Sequence, residues 1–241
     1  NWSNYEQNTK CALATSLTDI KTESDKAVEL PQALVSKWQR EGRLEQEVNE
    51  LNTFFKRTGY PKAPKYYIVK WLTDWVKDYG VDGFRVDTAK HVEPEIWSVL
   101  KKESEHAFNS WKKEHPDQVM DDLPFYMVGE VFNWGINGFK NTVKNSRAYD
   151  YGDKQVDFFN YGFDALINMG FVAHAHQPAE SLFTTYDNAL KERELKGKGV
   201  LSYMSSHDDQ DSFDRHRKNT FENAFKLMMV PGGVQIYYGD E

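Results

Sequence analysis

An α/β fold built on a parallel sheet is predicted by three observations. Short apolar runs end in glycine or charge, helical patterns lie between them, and the two kinds of segment alternate along most of the chain. The 241 residues are 39% hydrophobic and 15% aromatic, enough apolar material for a substantial core.

Residues 1–60 carry no strand signal. TDIKTESD is polar, while PQALVSKWQREG and LEQEVNELNTFFKRTG have helix-compatible spacing; the first opens on proline and both end at glycine. This part is expected to be an irregular and helical insertion leading into the sheet. KYYIVKWLTDWVKDYG sets Ile68, Trp71, Leu72, Trp75 and Val76 at i, i+3, i+4, i+7 and i+8 and stops at Gly80, which predicts an amphipathic helix with those five on its apolar face.

VDGFRVD follows as a short apolar run bounded by charge, then a helical pattern around Ile96 and Leu100, the polar linker SWKKEHPDQVMDD, and the run FYMVGE. FDALINMG, GVLSYMSS and GGVQIYYG are further runs of this kind, separated by helical segments near Ser181 to Leu195 and Asn219 to Val230. Five strands result. An eight-stranded parallel barrel takes about 250 residues, so residues 61–241 read as part of one, about strands 4 to 8 of a (β/α)8 barrel. Such a set leaves two sheet edges open, and either N-terminal strands from elsewhere or self-association is expected to cover them.

A formal net charge of −7 with scattered Lys and Arg offers no basic footprint for nucleic acid. No run reaches the eighteen or so apolar residues of a membrane span, and NWSNYEQNTK lacks the apolar centre of a signal peptide. Cys11 is the one cysteine. It is either a buried thiol or half of a disulfide with sequence elsewhere.

Arg85 and Asp87 are two apart on a predicted strand, so both point to one face, where the guanidinium should hold Asp87 ionised and oriented as a nucleophile requires. Glu130 closes the next strand after Gly129, and His207, Asp208 and Asp209 follow a third. Each acid alone could be structural: an Arg/Asp pair, a capping glutamate, a metal or solvent site. Three at the ends of successive motif-bearing strands would converge on one barrel mouth, where glycoside hydrolysis needs one carboxylate to attack and a second, kept protonated, to donate. A retaining pair keeps its carboxyls about 5 to 5.5 Å apart.

The same residues resemble a family. GFRVDTAKH is similar to the second signature of the α-amylase family of glycoside hydrolases, a TIM-barrel family, MVGE to the third, SSHDD to the fourth, and PGGVQIYYGDE to the segment around its last barrel strand. From about Thr9 to Glu93, with LPQALVSKW and FFKRTGYPK, the chain resembles bacterial periplasmic members. The resemblance implies Asp87 as nucleophile, Arg85 as its orienting partner and Glu130 as acid/base. Asp208 becomes the third carboxylate, gripping substrate hydroxyls, and His207 the histidine that hydrogen-bonds the sugar. Lys90 and His91 would line the leaving-group side, with the His91 carbonyl reaching a structural calcium. It further implies a periplasmic or secreted retaining hydrolase of α-1,4-glucosidic bonds in starch or maltodextrin. Alternatives are a same-family transglycosylase or α-glucosidase, whose acids are shared, or a non-catalytic glucan-binding protein. Phe132, Trp134 and Tyr151 are candidates for stacking on glucose rings. Two departures stand out: Ser206 occupies a position that is Asn in many members, and the family's first signature is absent. With it goes most of the calcium shell. The chain also stops at Asp240 and Glu241, before the family's last helix and β-sandwich.

Overall fold

The structure, a computed structural model, describes residues 2–136, 147–191, 195–209 and 213–239. In chain order the helices α1 (Tyr5–Lys10), α2 (Gln32–Arg40), α3 (Leu44–Thr58) and α4 (Pro64–Tyr79) precede strand β1 (Gly83–Val86). Then come α5 (Glu95–Glu114), β2 (Tyr126–Gly129), the short pair β3 (Tyr149–Asp150) and β4 (Gln155–Val156), and β5 (Ala165–Asn168). The chain continues through α6 (Gly170–His174), α7 (Ala179–Lys191), β6 (Gly199–Tyr203), α8 (Thr220–Met229) and β7 (Gly233–Gln235). The end of the helix expected near Ser181 to Leu195 falls partly at 192–194, and Asp240 and Glu241 close the chain; both lie outside the described residues. Among the described residues no helix is long and apolar enough to cross a membrane.

Two compact units interleave along the sequence. One comprises Lys10–Asp82 and Glu95–Phe125, the other Asn1–Thr9, Gly83–Pro94 and Tyr126–Glu241.

The first unit is helical. Pro64 opens α4, and left-handed glycines, Gly59 and Gly80, end α3 and α4 by donating to Phe55 and Val76 carbonyls. Gly80 is obligatory for a second reason: a Cβ there would lie 2.4 Å from the Trp111 ring. The amphipathic helix expected over α4 forms, but its buried side differs from the expected stripe. Val76 is buried, whereas Trp75 is 59% exposed and stacks on Tyr79, and Lys70 and Thr73 are buried instead. Packing on α5 sets this side, and the Lys70 ammonium is tolerated there because Asp74 (2.6 Å) and Glu50 (3.0 Å) meet it. Buried Glu103 likewise accepts from Arg57 at 2.6 Å. The polar linker is shorter than expected, since α5 runs on through Glu114. Cys11 is exposed, which removes the buried-thiol reading.

The second unit holds the five expected strands as one sheet, in the order β1-β2-β5-β6-β7, with every pairing parallel. Its register puts Arg85 beside Val128, Ile167 beside Leu201, and Tyr203 beside Gln235. Because side chains alternate along a strand, Val128, Ile167, Leu201 and Tyr203 cluster on one face, joined by Met169. On the other, Asn168 donates to the Tyr186 hydroxyl at 2.8 Å and to Ser202 at 3.3 Å, all three buried. Asp87 and Glu130 immediately follow β1 and β2, and the Ser205–Asp209 turn follows β6, so the acids gather at the carboxyl ends of parallel strands.

Candidate active site

Arg85 organises the centre. Its guanidinium spans two carboxyls, with Nη1 2.5 Å from Asp87 Oδ1 and Nη2 3.0 Å from Glu130 Oε2, a fork geometry that fixes both acids. The backbones interlock too: Glu130 N–H donates to the Val86 carbonyl and Ala89 N–H to the Glu130 carbonyl, each at 2.8 Å. The two carboxyls also hydrogen-bond to one another.

This contact splits their acidities. Burial, then the hydrogen bond to Asp87, pushes Glu130 from its ordinary 4.5 up to about 7. The bond from Glu130, with Arg85 behind it, holds Asp87 below the usual carboxylate range. One acid stays protonated near neutrality beside one that stays ionised, which is how acid and base assignments are divided.

A stability consequence follows, and its sign is set by the direction of the Glu130 shift. A carboxyl whose folded pKa is raised stabilises the fold below its unfolded pKa, and that contribution is lost as pH rises toward about 7. In urea unfolding, wild-type stability minus that of Glu130→Gln is expected to fall between pH 4.5 and 7. A difference that stays flat across that window would mean Glu130 ionises normally.

Asp208 and His207 are well exposed, with His207 Nε2 3.3 Å from Asp208 Oδ2. They border a cleft of about 390 Å³, open mouth included, with Arg85, Glu130, Phe132 and Tyr203. The Tyr203 phenol is pushed up to about 12, first by burial and then by Asp209, Glu130 and Asp208. Three carboxylates therefore act on one ring.

Lys90 and His91 do not line this cleft. Lys90 is buried, donating to the Tyr149 hydroxyl at 2.9 Å and the Phe132 carbonyl at 3.3 Å, and burial brings its ammonium down to about 8 despite the Glu130 charge. His91 Nδ1 lies 3.1 Å from the Asn8 carbonyl, with the Trp2 ring edge-on at 5.2 Å. Both side chains fasten the turn after β1 instead of reaching outward. Two of the three stacking candidates are also interior: Trp134 is fully buried and donates to the Arg147 carbonyl, and Tyr151 is buried and donates to the Lys90 carbonyl. Phe132, 49% exposed, is the one at the cleft. Among the described residues no three His, Cys, Asp or Glu side chains converge as cation ligands. Calcium takes six to eight oxygens, of which the His91 carbonyl would supply one.

The sequence reading missed the cleft walls Ile167, Met169, Tyr203 and Gln235. Their signal was the two-residue period that puts Leu201 and Tyr203 on the face of Arg85 and Val128.

A family model described as alpha amylase, catalytic domain, matches residues 44–241. The chain belongs to the α-amylase family. Over 229 residues it is 39% identical to the periplasmic alpha-amylase of Escherichia coli (strain K12), covering 93% of this chain and 28% of that protein. It is 38% identical over 176 residues to the alpha-amylase of Streptomyces lividans, covering 69% of this chain and 18% of that one. It therefore spans less than a third of either curated relative. Among solved structures, the α-amylase of Geobacillus thermoleovorans complexed with acarbose superposes with a TM-score of 0.50 at 21% identity, over 73% of this chain and 36% of that one. That likeness concerns the fold. The five parallel strands of this amylase-family chain are part of a (β/α)8 barrel.

Proposed function

We propose that this chain carries the catalytic acids of a retaining, endo-acting hydrolase of α-1,4-glucosidic bonds in starch or maltodextrin. The observation that carries the reading is one guanidinium, Arg85, bridging Asp87 and Glu130 at the ends of adjacent strands, in surroundings that lower the first acid and raise the second. In the first step an Asp87 carboxylate oxygen attacks the anomeric carbon while Glu130 gives its proton to the departing glycosidic oxygen. In the second, Glu130 takes a proton from water, which displaces Asp87 and restores the α configuration. Arg85 orients both acids, and Asp208 and His207, at the open rim, grip sugar hydroxyls. For this chemistry the two carboxyls stand about 5 to 5.5 Å apart. No step runs through calcium.

The reading of an α-glucan as substrate is supported by relatives named alpha-amylase and by an acarbose complex of one solved family member. The relative named periplasmic supports a site of action outside the cytoplasm, periplasmic or secreted. Because the relatives are longer, the test uses this chain both alone and spliced into the E. coli protein in place of its matching segment. Proton NMR of the first product from maltooligosaccharide is expected to show the α anomer in the spliced protein, with Asp87→Asn inactive. A first product in the β configuration would overturn retention, and an active Asp87→Asn would overturn the assignment of the nucleophile.

A further inference from the structure

The two oxygens of the Glu130 carboxyl are not equivalent. Oε2 accepts from Arg85 Nη2 at 3.0 Å and from the Thr88 backbone N–H at 3.3 Å. A guanidinium and an amide N–H donate only, so a proton placed on Oε2 would confront two donor hydrogens. The second donor is aimed there by an unusual backbone. Thr88 sits at φ 47°, ψ 37°, in the left-handed region, which a β-branched residue enters only under constraint from its surroundings. That constraint is visible, since the main-chain bonds from Glu130 to Val86 and from Ala89 to Glu130 grip the turn on both sides.

We infer that Thr88 is a positioning residue whose strained turn reserves Oε2 as an acceptor and so confines the acid's proton to Oε1. Oε1 is then the oxygen that donates to Asp87 in the resting site and to the glycosidic oxygen during cleavage. This deepens the glycosidase reading and rests on Glu130 being its acid. Among the described residues, the charged or titratable groups around Glu130 include Arg85 and Asp87 from the end of β1, Lys90 from the following turn, Tyr203 from β6 and, bordering the same cleft, His207, Asp208 and Asp209. None of them except Arg85 is a hydrogen-bond donor to Oε2.

The test reads the protonation of Glu130 directly, in the 241-residue chain without substrate, so its outcome is independent of whether the chain cleaves glucan. The carboxylic acid band of Glu130 is followed by infrared spectroscopy across pH 5 to 9 and assigned by its loss in Glu130→Gln. Thr88→Gly keeps the N–H and relieves the backbone, so the band and its midpoint should stay in place while the thermal midpoint rises by a few degrees. Exchanging Thr88 for its α-hydroxy acid replaces the N–H by an ester oxygen; loss of a donor to the charged form should move the midpoint up by about one pH unit and shift the band. In the unmodified chain the Thr88 amide proton should shift with the Glu130 midpoint, and in Glu130→Gln it should not, a measurement that needs no ester. An ester variant with the wild-type midpoint, a Gly variant displaced as far as the ester, or a Thr88 amide insensitive to Glu130 would each overturn the inference.

Discussion

Glu130→Gln in the spliced protein is expected to slow maltooligosaccharide cleavage by about 10² to 10⁴-fold, the range general acid catalysis spans. Cleavage of α-glucosyl fluoride should fall far less. Fluoride departs without a proton, so its release does not draw on the acid, whereas a glucosyl oxygen leaves poorly as an alkoxide. Gln preserves the shape of the site, and its carbonyl oxygen can accept from Arg85 and from the Thr88 N–H as Oε2 does. The loss is thus a loss of the proton and not of geometry. The measurement is kcat/KM for the two substrates side by side. Equal losses would move the acid role away from Glu130 and assign it an electrostatic one.

Trp134→Ala is expected to destabilise the chain by about 3 to 5 kcal/mol, the usual cost of truncating a large buried aromatic. The indole is fully buried, meets Phe159 edge-on at 5.9 Å and satisfies its N–H on the Arg147 carbonyl at 2.9 Å. Its backbone carbonyl accepts from Met169 N–H at 3.1 Å, fastening the turn after β2 to the end of β5. Phe132→Ala, at a half-exposed position, should cost less than about 1 kcal/mol in stability and instead raise KM for oligosaccharide. Urea unfolding of both variants separates the two roles. A stable Trp134→Ala with weakened glucan affinity would restore Trp134 as a sugar platform.

Strands and their terminal acids were legible because both follow from local pattern: an apolar run, its period, and the charge that ends it. The positions of Asp87, Glu130 and Asp208 after three of these runs could be read in the same way. What was not legible depended on residues far away in sequence. Lys90 belongs to a turn that a motif can mark, yet the direction of its side chain is decided by Tyr149, which occupies it from beyond the next strand. Lys70 is buried where Trp75 is exposed, since Asp74 and Glu50 supply charges that a hydrophobicity pattern does not weigh. Aromatic content could not separate platform from core; Trp134 and Tyr151 turned inward because carbonyls at Arg147 and Lys90 receive their polar atoms. Thr88 gave no warning, as its left-handed turn carries no glycine to mark it.

The interleaving of the two units bears on the order in which the site can be assembled. Asn1–Thr9 belongs with Gly83–Pro94, yet the whole of Lys10–Asp82 lies between them in the other unit. The contacts that recruit the first segment, Asn8 to His91 and Tyr5 N–H to Asp153 at 2.8 Å, therefore close very long loops. Loop closure of that length adds little to equilibrium cost but slows the search, so docking of the N-terminal segment is expected to be slow. A single protease cut between Thr9 and Lys10 would leave that segment bound only as a peptide. Its hold on His91 would then depend on protein concentration, where the continuous chain supplies a fixed effective one.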